Sequence, residues 1–250
     1  MSNAHFRYVL RLGDNALITG QRLSEWCGHS PFLEEDIAMA NTALDHIGRA
    51  RMLLTHAGKL EGAGRDEDAL AYFRGEREFE NFLICELPVG DFAFSLLRQF
   101  LLDCYHHHLY AALTSSRDET LAAIAAKAVK EATYHARRSE DWVKRLGDGT
   151  EESHRRMQHA LNELWGYCDE LFDVDSTDIA ASEHGIGADN AALERQWSEQ
   201  VTEVLNQATL VVPDDPWRAG GGRDGRHTEY MGRLLAEMQS LQRNYPGCQW

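Results

Sequence analysis

The chain is predicted to be all-α on three observations. Its five prolines, Pro31, Pro88, Pro213, Pro216 and Pro246, leave 32–87 and 89–212 free of the strongest helix breaker. Those intervals are rich in Ala, Leu, Glu, Arg and Gln, which lose little on entering a helix. β-branched residues are sparse and never alternate over the length of a strand.

The elements follow in order. A first helix over about 5–28 stops at Gly28. A second, about 31–61, takes Ser30 as its cap and Pro31 in its first turn, with Glu34, Glu35 and Asp36 near its positive end. "EGAGRDED" is a loop, and a broken helical stretch over about 67–86 leads into "LPVGD". A third helix spans about 90–115, "TSSRDE" is a short turn, and a fourth runs over about 118–146 to "GDG". Thr150 caps a fifth, about 151–173. The segment 174–188, "VDSTDIAASEHGIGA", reads as a loop. A sixth helix covers about 190–208, and a Pro/Gly-rich stretch, 211–226, precedes a last helix over 228–244. Short connections within the first and second helix pairs imply two antiparallel hairpins joined by a long crossover, 62–89. That is the order of a ferritin-like four-helix bundle with additional C-terminal helices. The whole of 1–250 reads as one such domain, with a core bundle over about 5–146 and a C-terminal helical extension over about 150–250. No internal repeat points to a solenoid.

The net charge is −15, from 40 acidic against 25 basic residues, which argues against nucleic acid as a partner. No apolar run approaches the ~18 residues of a membrane span. The start, "MSNAHFRYVLRLGDN", lacks the basic-then-apolar order of a signal peptide. Cys27, Cys85, Cys104, Cys168 and Cys248 are scattered, with no CxxC pair, so a reducing, cytoplasmic compartment and no structural zinc are expected.

The informative feature is acid on apolar stripes. Asp45 shares a face with Ala38, Asn41, Gly48 and Met52. Counting from the hairpin turns puts it level with Asp14 or Asn15, and puts Asp103 level with Glu131. One acid per helix would then sit at mid-height. Ferritin-like di-iron sites are built there, from a lone Glu on two helices and Glu-x-x-His on the other two. Here three of the four acids are Asp, Gly48 stands three residues after Asp45, and Tyr134 three after Glu131. His46 is rotated by about 100° from Asp45. His135 shares the face of Glu131, and His106 and His107 that of Asp103. Three outcomes stay open: a layer of internal ion pairs without metal, a single metal, and an irregular di-iron site. Arg49, four after Asp45, and Lys127, four before Glu131, favour the first, in which a side-chain cation takes the electrostatic place of a metal.

Other candidates carry less. "HHH" at 106–108 points in three directions on a helix and reads as surface or interface histidines. "GGGRDG", 220–225, matches a dinucleotide loop formally, but only about 25 residues follow, too few for the βαβ unit. A loop over 218–227 carrying Arg218, Arg223 and Arg226 is the alternative, docking on a partner or meeting an anion. Glu25 and His29 read as a polar pair near a helix end. Trp142, Trp165, Trp197, Trp217 and Trp250 read as core or interface anchors. No hydrolase elbow, P-loop or Cys/His nucleophile pattern is present.

"RLGDNALITGQRLSEWCGH", "ALDHIGRAR", "AAKAVKEATYH", "ELFDVDSTDIA" and "GGGRDGRHTEYMGRLLAEMQSLQR" together resemble the C subunits of bacterial phenylacetyl-CoA ring 1,2-epoxidases, from about residue 7 to the C-terminus. The resemblance implies a ferritin-like, non-catalytic subunit. It would pair with a paralogous catalytic A subunit that holds the di-iron centre and binds phenylacetyl-CoA. The implied assembly also includes a small B subunit, a D subunit and an NADPH-dependent flavin/iron–sulfur reductase, E. The implied reaction epoxidises the aromatic ring in aerobic phenylacetate degradation. Alone, the chain is expected as a homodimer. On this reading Asp14, Asp45, Asp103, Glu131 and His135 are vestiges of the catalytic subunit's iron ligands, and this chain has no catalytic, cofactor-binding or metal-binding residue of its own. The rivals are a self-sufficient di-iron oxidase or oxygenase with an irregular ligand set, and a ferritin-like storage protein, whose closed shell the 211–250 extension disfavours.

Overall fold

The computed structural model describes residues 2–214 and 216–248. The all-α, ferritin-like class expected from the sequence is the one found: among the described residues there are ten α-helices, four short 3-10 turns and no strand. The helices are α1 (Ser2–Ser24), α2 (Leu33–Glu61), α3 (Glu67–Tyr72), α4 (Leu83–Glu86), α5 (Phe92–Leu113), α6 (Glu119–Gly147), α7 (Glu151–Leu164), α8 (Ser176–Glu183), α9 (Asn190–Gln207) and α10 (Glu229–Asn244). Two compact units form. One holds the chain up to Pro88, Ser176–Ala181 and the stretch from Gly220. The other holds Val89–Asp175 and Ser182–Ala219. Trp250 lies outside the described residues.

The first unit is organised by the α1–α2 hairpin. Every residue of α1 from Tyr8 to Gly20 is buried. Gly13 and Gly20, seven residues apart on one face, let α2 approach closely. A Cβ at Gly13 would stand 2.7 Å from Leu54 Cδ2, and one at Gly20 would stand 2.9 Å from Ile47 Cγ1. The same contacts fix the register. Gly13 faces Leu53 and Leu54, and Gly20 faces Ala43, His46 and Ile47, so the helices are antiparallel with Asp14 level with Leu53. Asp45 is then level with Arg22, about eight residues or ~12 Å along the axis from Asp14.

The expected levelling of Asp14 with Asp45 is therefore not met, and the connection explains why. Helix α1 ends at Ser24 rather than Gly28, and α2 starts at Leu33. Residues 25–32 carry the chain past the end of α1, so the first turns of α2 project beyond it. Phe32, Leu33 and Ile37 are accordingly exposed. Nor is the expected Ser30–Pro31 cap used. Phe32 occupies the N-cap without a side-chain bond, and Asp36 Oδ1 instead accepts the Gly28 N–H at 2.8 Å. Later in the same unit α10 packs on α3, where Gln239 Nε2 donates to the carbonyls of Ala71 and Arg74, both at 3.0 Å.

The second unit is built on the α5–α6 hairpin. Asp91 and Asp118 cap the two helices through the N–H groups of Phe94 and Leu121. Residues Ser95–His106 of α5 are all buried, with α7 and α9 packed against the hairpin. Trp197 on α9 donates its indole N–H to the Leu101 carbonyl at 2.9 Å and lies against Trp165 and Phe172. This is the anchoring expected of it. Trp217, half exposed, packs edge-on against Tyr167.

Two further elements differ from the sequence reading. The helix capped by Thr150 ends at Leu164 and gives way to 3-10 turns over Trp165–Tyr167 and Asp169–Phe172. At Gly166 the later chain approaches closely: a Cβ there would meet the Trp217 carbonyl oxygen at 2.2 Å, and the Ala219 N–H donates to the Gly166 carbonyl at 2.9 Å. The expected loop over 174–188 contains α8. Its Ser and Thr, which read as loop residues, sit at the helix start, where such side chains are favoured, and Ala180 and Ala181 follow.

Candidate functional site

The polar layer read from the sequence forms in a different arrangement within each unit. In the first, Asp14 is 0% exposed and Arg74 2%, and they make a two-point ion pair. Arg74 Nη1 donates to Asp14 Oδ2 at 3.0 Å, Nη2 donates to Oδ1, and the Glu80 N–H adds a third bond at 3.0 Å. The guanidinium makes further contacts of its own. It donates to the carbonyls of Glu78 at 2.7 Å and Leu70 at 2.5 Å, and lies 4.1 Å from the centre of the Phe79 ring. Burial pushes the Asp14 carboxyl above its ordinary value, while the charge and hydrogen bonds of Arg74 pull it back.

A second buried network lies beside the first. Glu80 accepts from Arg7 at 2.9 Å and Arg11 at 2.6 Å. Arg11 also reaches Asp178 at 3.5 Å, and Asp178 accepts from Arg223 at 2.6 Å. Arg223 is thus tied to a carboxylate of its own chain, as are Arg226 by Asp224 at 3.0 Å and Arg218 by Asp169 at 2.9 Å. Each of the three arginines of the 218–227 loop has a carboxylate neighbour in its own chain, with the pairs of Arg218 and Arg226 at the exposed surface. Glu25 pairs with Arg22 at 2.6 Å instead of with His29, whose Nδ1 faces the Cys27 carbonyl at 3.0 Å.

Asp45 is half-buried on the flank of α2, and Gly48 is open on one side, with nothing within 4 Å of where a Cβ would stand. The interior face of α2 carries Met39, Ala43, His46, Arg49, Ala50 and Leu53 instead. His46 is 0% and Arg49 1% exposed. The ~100° that separates His46 from Asp45 is what brings it inside.

His227 closes the C-terminal part of this unit. Its Nδ1 faces Glu86 Oε2 at 2.8 Å and its Nε2 the Phe79 carbonyl at 3.0 Å. Both side chains are fully enclosed. Burial pushes the imidazolium down, but the hydrogen bond and charge of Glu86, the Phe79 carbonyl and Glu76 together lift it above its ordinary value.

In the second unit the buried acid is Asp103, 2% exposed, which accepts from Gln99 Nε2 at 2.6 Å. Burial raises its carboxyl, and His135, Gln99, Ser139 and Arg138 oppose the rise. The 3.2 Å contact of His107 with Thr133 sets the register of the hairpin and puts the α6 turn around His135 and Ser139 opposite Asp103. Glu131 stands more than a turn away, on the flank, where Lys127 pairs with it at 3.4 Å as expected. Tyr134 is 63% exposed, whereas His135 is 3% exposed. Of the three consecutive histidines, His106 is buried, and only His107 and His108 reach the partly exposed flank, His108 through Gln200 at 2.9 Å.

Sequence reasoning set His46 aside as rotated from Asp45, took Arg49 only as a partner for Asp45, and missed Arg74 altogether. Arg74 sits in the crossover, where no helical period marks it. The available signal was the need itself: Asp14, on a helix buried all round, demands a cation, and the crossover carries arginines.

A family model described as "Phenylacetic acid catabolic protein" matches residues 1–250. The C subunit of the 1,2-phenylacetyl-CoA epoxidase of Escherichia coli (strain K12) is 52% identical over 243 residues, covering 97% of this chain and 98% of the relative.

Proposed function

The chain belongs to the family of phenylacetic acid catabolic proteins, and from that membership we propose that it is the structural C subunit of a cytoplasmic phenylacetyl-CoA epoxidase. The catalytic A subunit, itself a ferritin-like chain, holds the di-iron centre and the thioester substrate. The B and D subunits and the reductase E complete the assembly. The observation that carries the non-catalytic half of this reading is the pairing of Asp14 with Arg74, in which both carboxylate oxygens already have donors. The regular di-iron donor set does not fit the remaining positions either. Asp45 and Glu131 lie on flanks, with Gly48 and Tyr134 where histidine ligands would stand. The chain's contribution is then scaffolding: a rigid helical surface that holds the catalytic subunit's helices in a metal-competent arrangement.

The juxtaposition of Asp103 and His135 favours a second reading, a di-iron oxidase that works alone. Metal analysis of the purified chain and reconstitution with the catalytic subunit separate the two. The scaffold reading expects no stoichiometric iron in this chain and epoxidation only when both subunits are present. About two irons per chain, with turnover by this chain alone, would sink it.

A further inference from the structure

One face of α6 stands apart from the rest of a strongly acidic molecule. Tyr134, Arg137, Arg138, Asp141, Trp142 and Arg145 line a shallow cavity of about 250 Å³. Each lies three or four residues from another of the set, so they form a single stripe about three turns long. The stripe places three guanidinium groups on a chain of net charge −15.

Two of the three, Arg137 and Arg145, are not neutralised by a neighbouring carboxylate. Among the described residues, neither Arg137 nor Arg145 makes an ion pair, although Asp141 lies four residues from each. The same spacing closes elsewhere on this helix, for Lys127 with Glu131 at 3.4 Å and Lys144 with Glu140 at 2.6 Å. Arg145 turns instead toward Trp142, its Cζ 5.7 Å from the ring centre. Trp142 is braced from behind by Phe92, edge-on at 5.7 Å. Tyrosine, tryptophan and arginine are the residues that dominate protein interfaces, and the arginine fork binds carboxylates at two points.

We infer that this face of α6 is a docking surface for a carboxylate-bearing segment of another subunit, an inference that rests on the assembly proposed above. Charge complementarity selects the occupant. A phosphate-rich ligand fits less well: backbone N–H groups in mid-helix are already used, no glycine nest is present, and Asp141 in the centre would repel a dense anion. A protein segment with spaced carboxylates meets the arginines on either side and leaves Asp141 facing a backbone N–H or a cation.

The test titrates the full chain against each separately purified component of the epoxidase, as wild type, Arg137→Glu/Arg145→Glu, Arg137→Gln/Arg145→Gln and Trp142→Ala. Far-UV circular dichroism and the thermal midpoint check that each variant folds, and the two glutamine substitutions, at exposed positions, keep the experiment decisive if charge reversal does not. Expected is on the order of tenfold weaker binding of one component, with a flatter dependence on salt. Unchanged binding of every component overturns the inference. So does unchanged binding with a raised KM for the thioester, which would make the groove a substrate site, and so does an effect confined to self-association. A wild-type chain that binds no component refutes the assembly reading and this inference with it. Normal binding by wild type and variants alike refutes the inference alone.

Discussion

Replacing Arg74 by methionine removes the cation from a pair in which Asp14 is 0% and Arg74 2% exposed. Methionine keeps an unbranched chain against Phe79, so the packing loss is small. What is lost is both bonds to the carboxylate and those to Leu70 and Glu78, leaving Asp14 with the Glu80 N–H alone. Breaking a buried pair from one side costs about 3–5 kcal/mol, a large share of the ~5–15 kcal/mol of a typical domain. The sign of the pH dependence follows from burial. The Asp14 carboxyl already lies above its ordinary value, and without Arg74 it rises further. A raised carboxyl favours the folded state while protonated and loses that advantage as pH climbs through its folded value. The deficit of Arg74→Met is therefore smaller near about pH 4, the ordinary carboxyl value, than near about pH 8. Urea unfolding followed by circular dichroism at both pH values measures it, and the double variant Asp14→Leu/Arg74→Met should recover most of the loss. A deficit below about 1 kcal/mol, or one equal at the two pH values, would refute the assignment of Arg74 as the cation that holds Asp14.

Gly20→Val should destabilise the α1–α2 hairpin by about 1–3 kcal/mol, read as a lowered urea midpoint, because Ile47 and the Ala43 carbonyl already stand 2.9 and 3.3 Å from the added Cβ. His227 is raised in the folded state, so it contributes stability that is fully present below about pH 6.5 and lost as pH rises through its folded value. His227→Phe should lower stability at about pH 6 and flatten the wild-type decline toward pH 9, as measured by thermal unfolding across that range. A thiol reagent should label Cys27 and Cys248 quickly in the native chain and Cys85, Cys104 and Cys168 only after denaturation, since the latter three are buried and burial raises the thiols of Cys104 and Cys168.

The helices were legible because their punctuation is local. Asp91, Asp118, Thr150, Asp189 and Thr228 each cap a helix through their own side chain, within a residue or two of the start read from the sequence. Axial offset is not local. Nothing in residues 25–32 tells how far they carry the chain along the bundle axis before α2 begins. The assumption of a tight turn therefore displaced Asp45 from its true level by about eight residues. The rotation of α2 was misread for a related reason. Its interior stripe carries His46 and Arg49, so polarity pointed to the wrong face, and Asp45 among small residues looked more enclosed than it is. The presence of a buried acid on α1 was read correctly. Its partner, sixty positions away in a segment without periodicity, was not.

The network around Arg11 has a consequence for how the chain is made. Arg11 pairs with Glu80, 69 positions on, but it also reaches Asp178, and Asp178 in turn holds Arg223. Translation at ~5–20 residues per second separates the first of these from the last by on the order of ten to forty seconds. Through that interval the α1–α2 hairpin can already bury its apolar faces, while Arg11 still lacks its second carboxylate. A chain interrupted before Arg223 therefore keeps its first hairpin but leaves Asp178, and through it Arg11, one partner short.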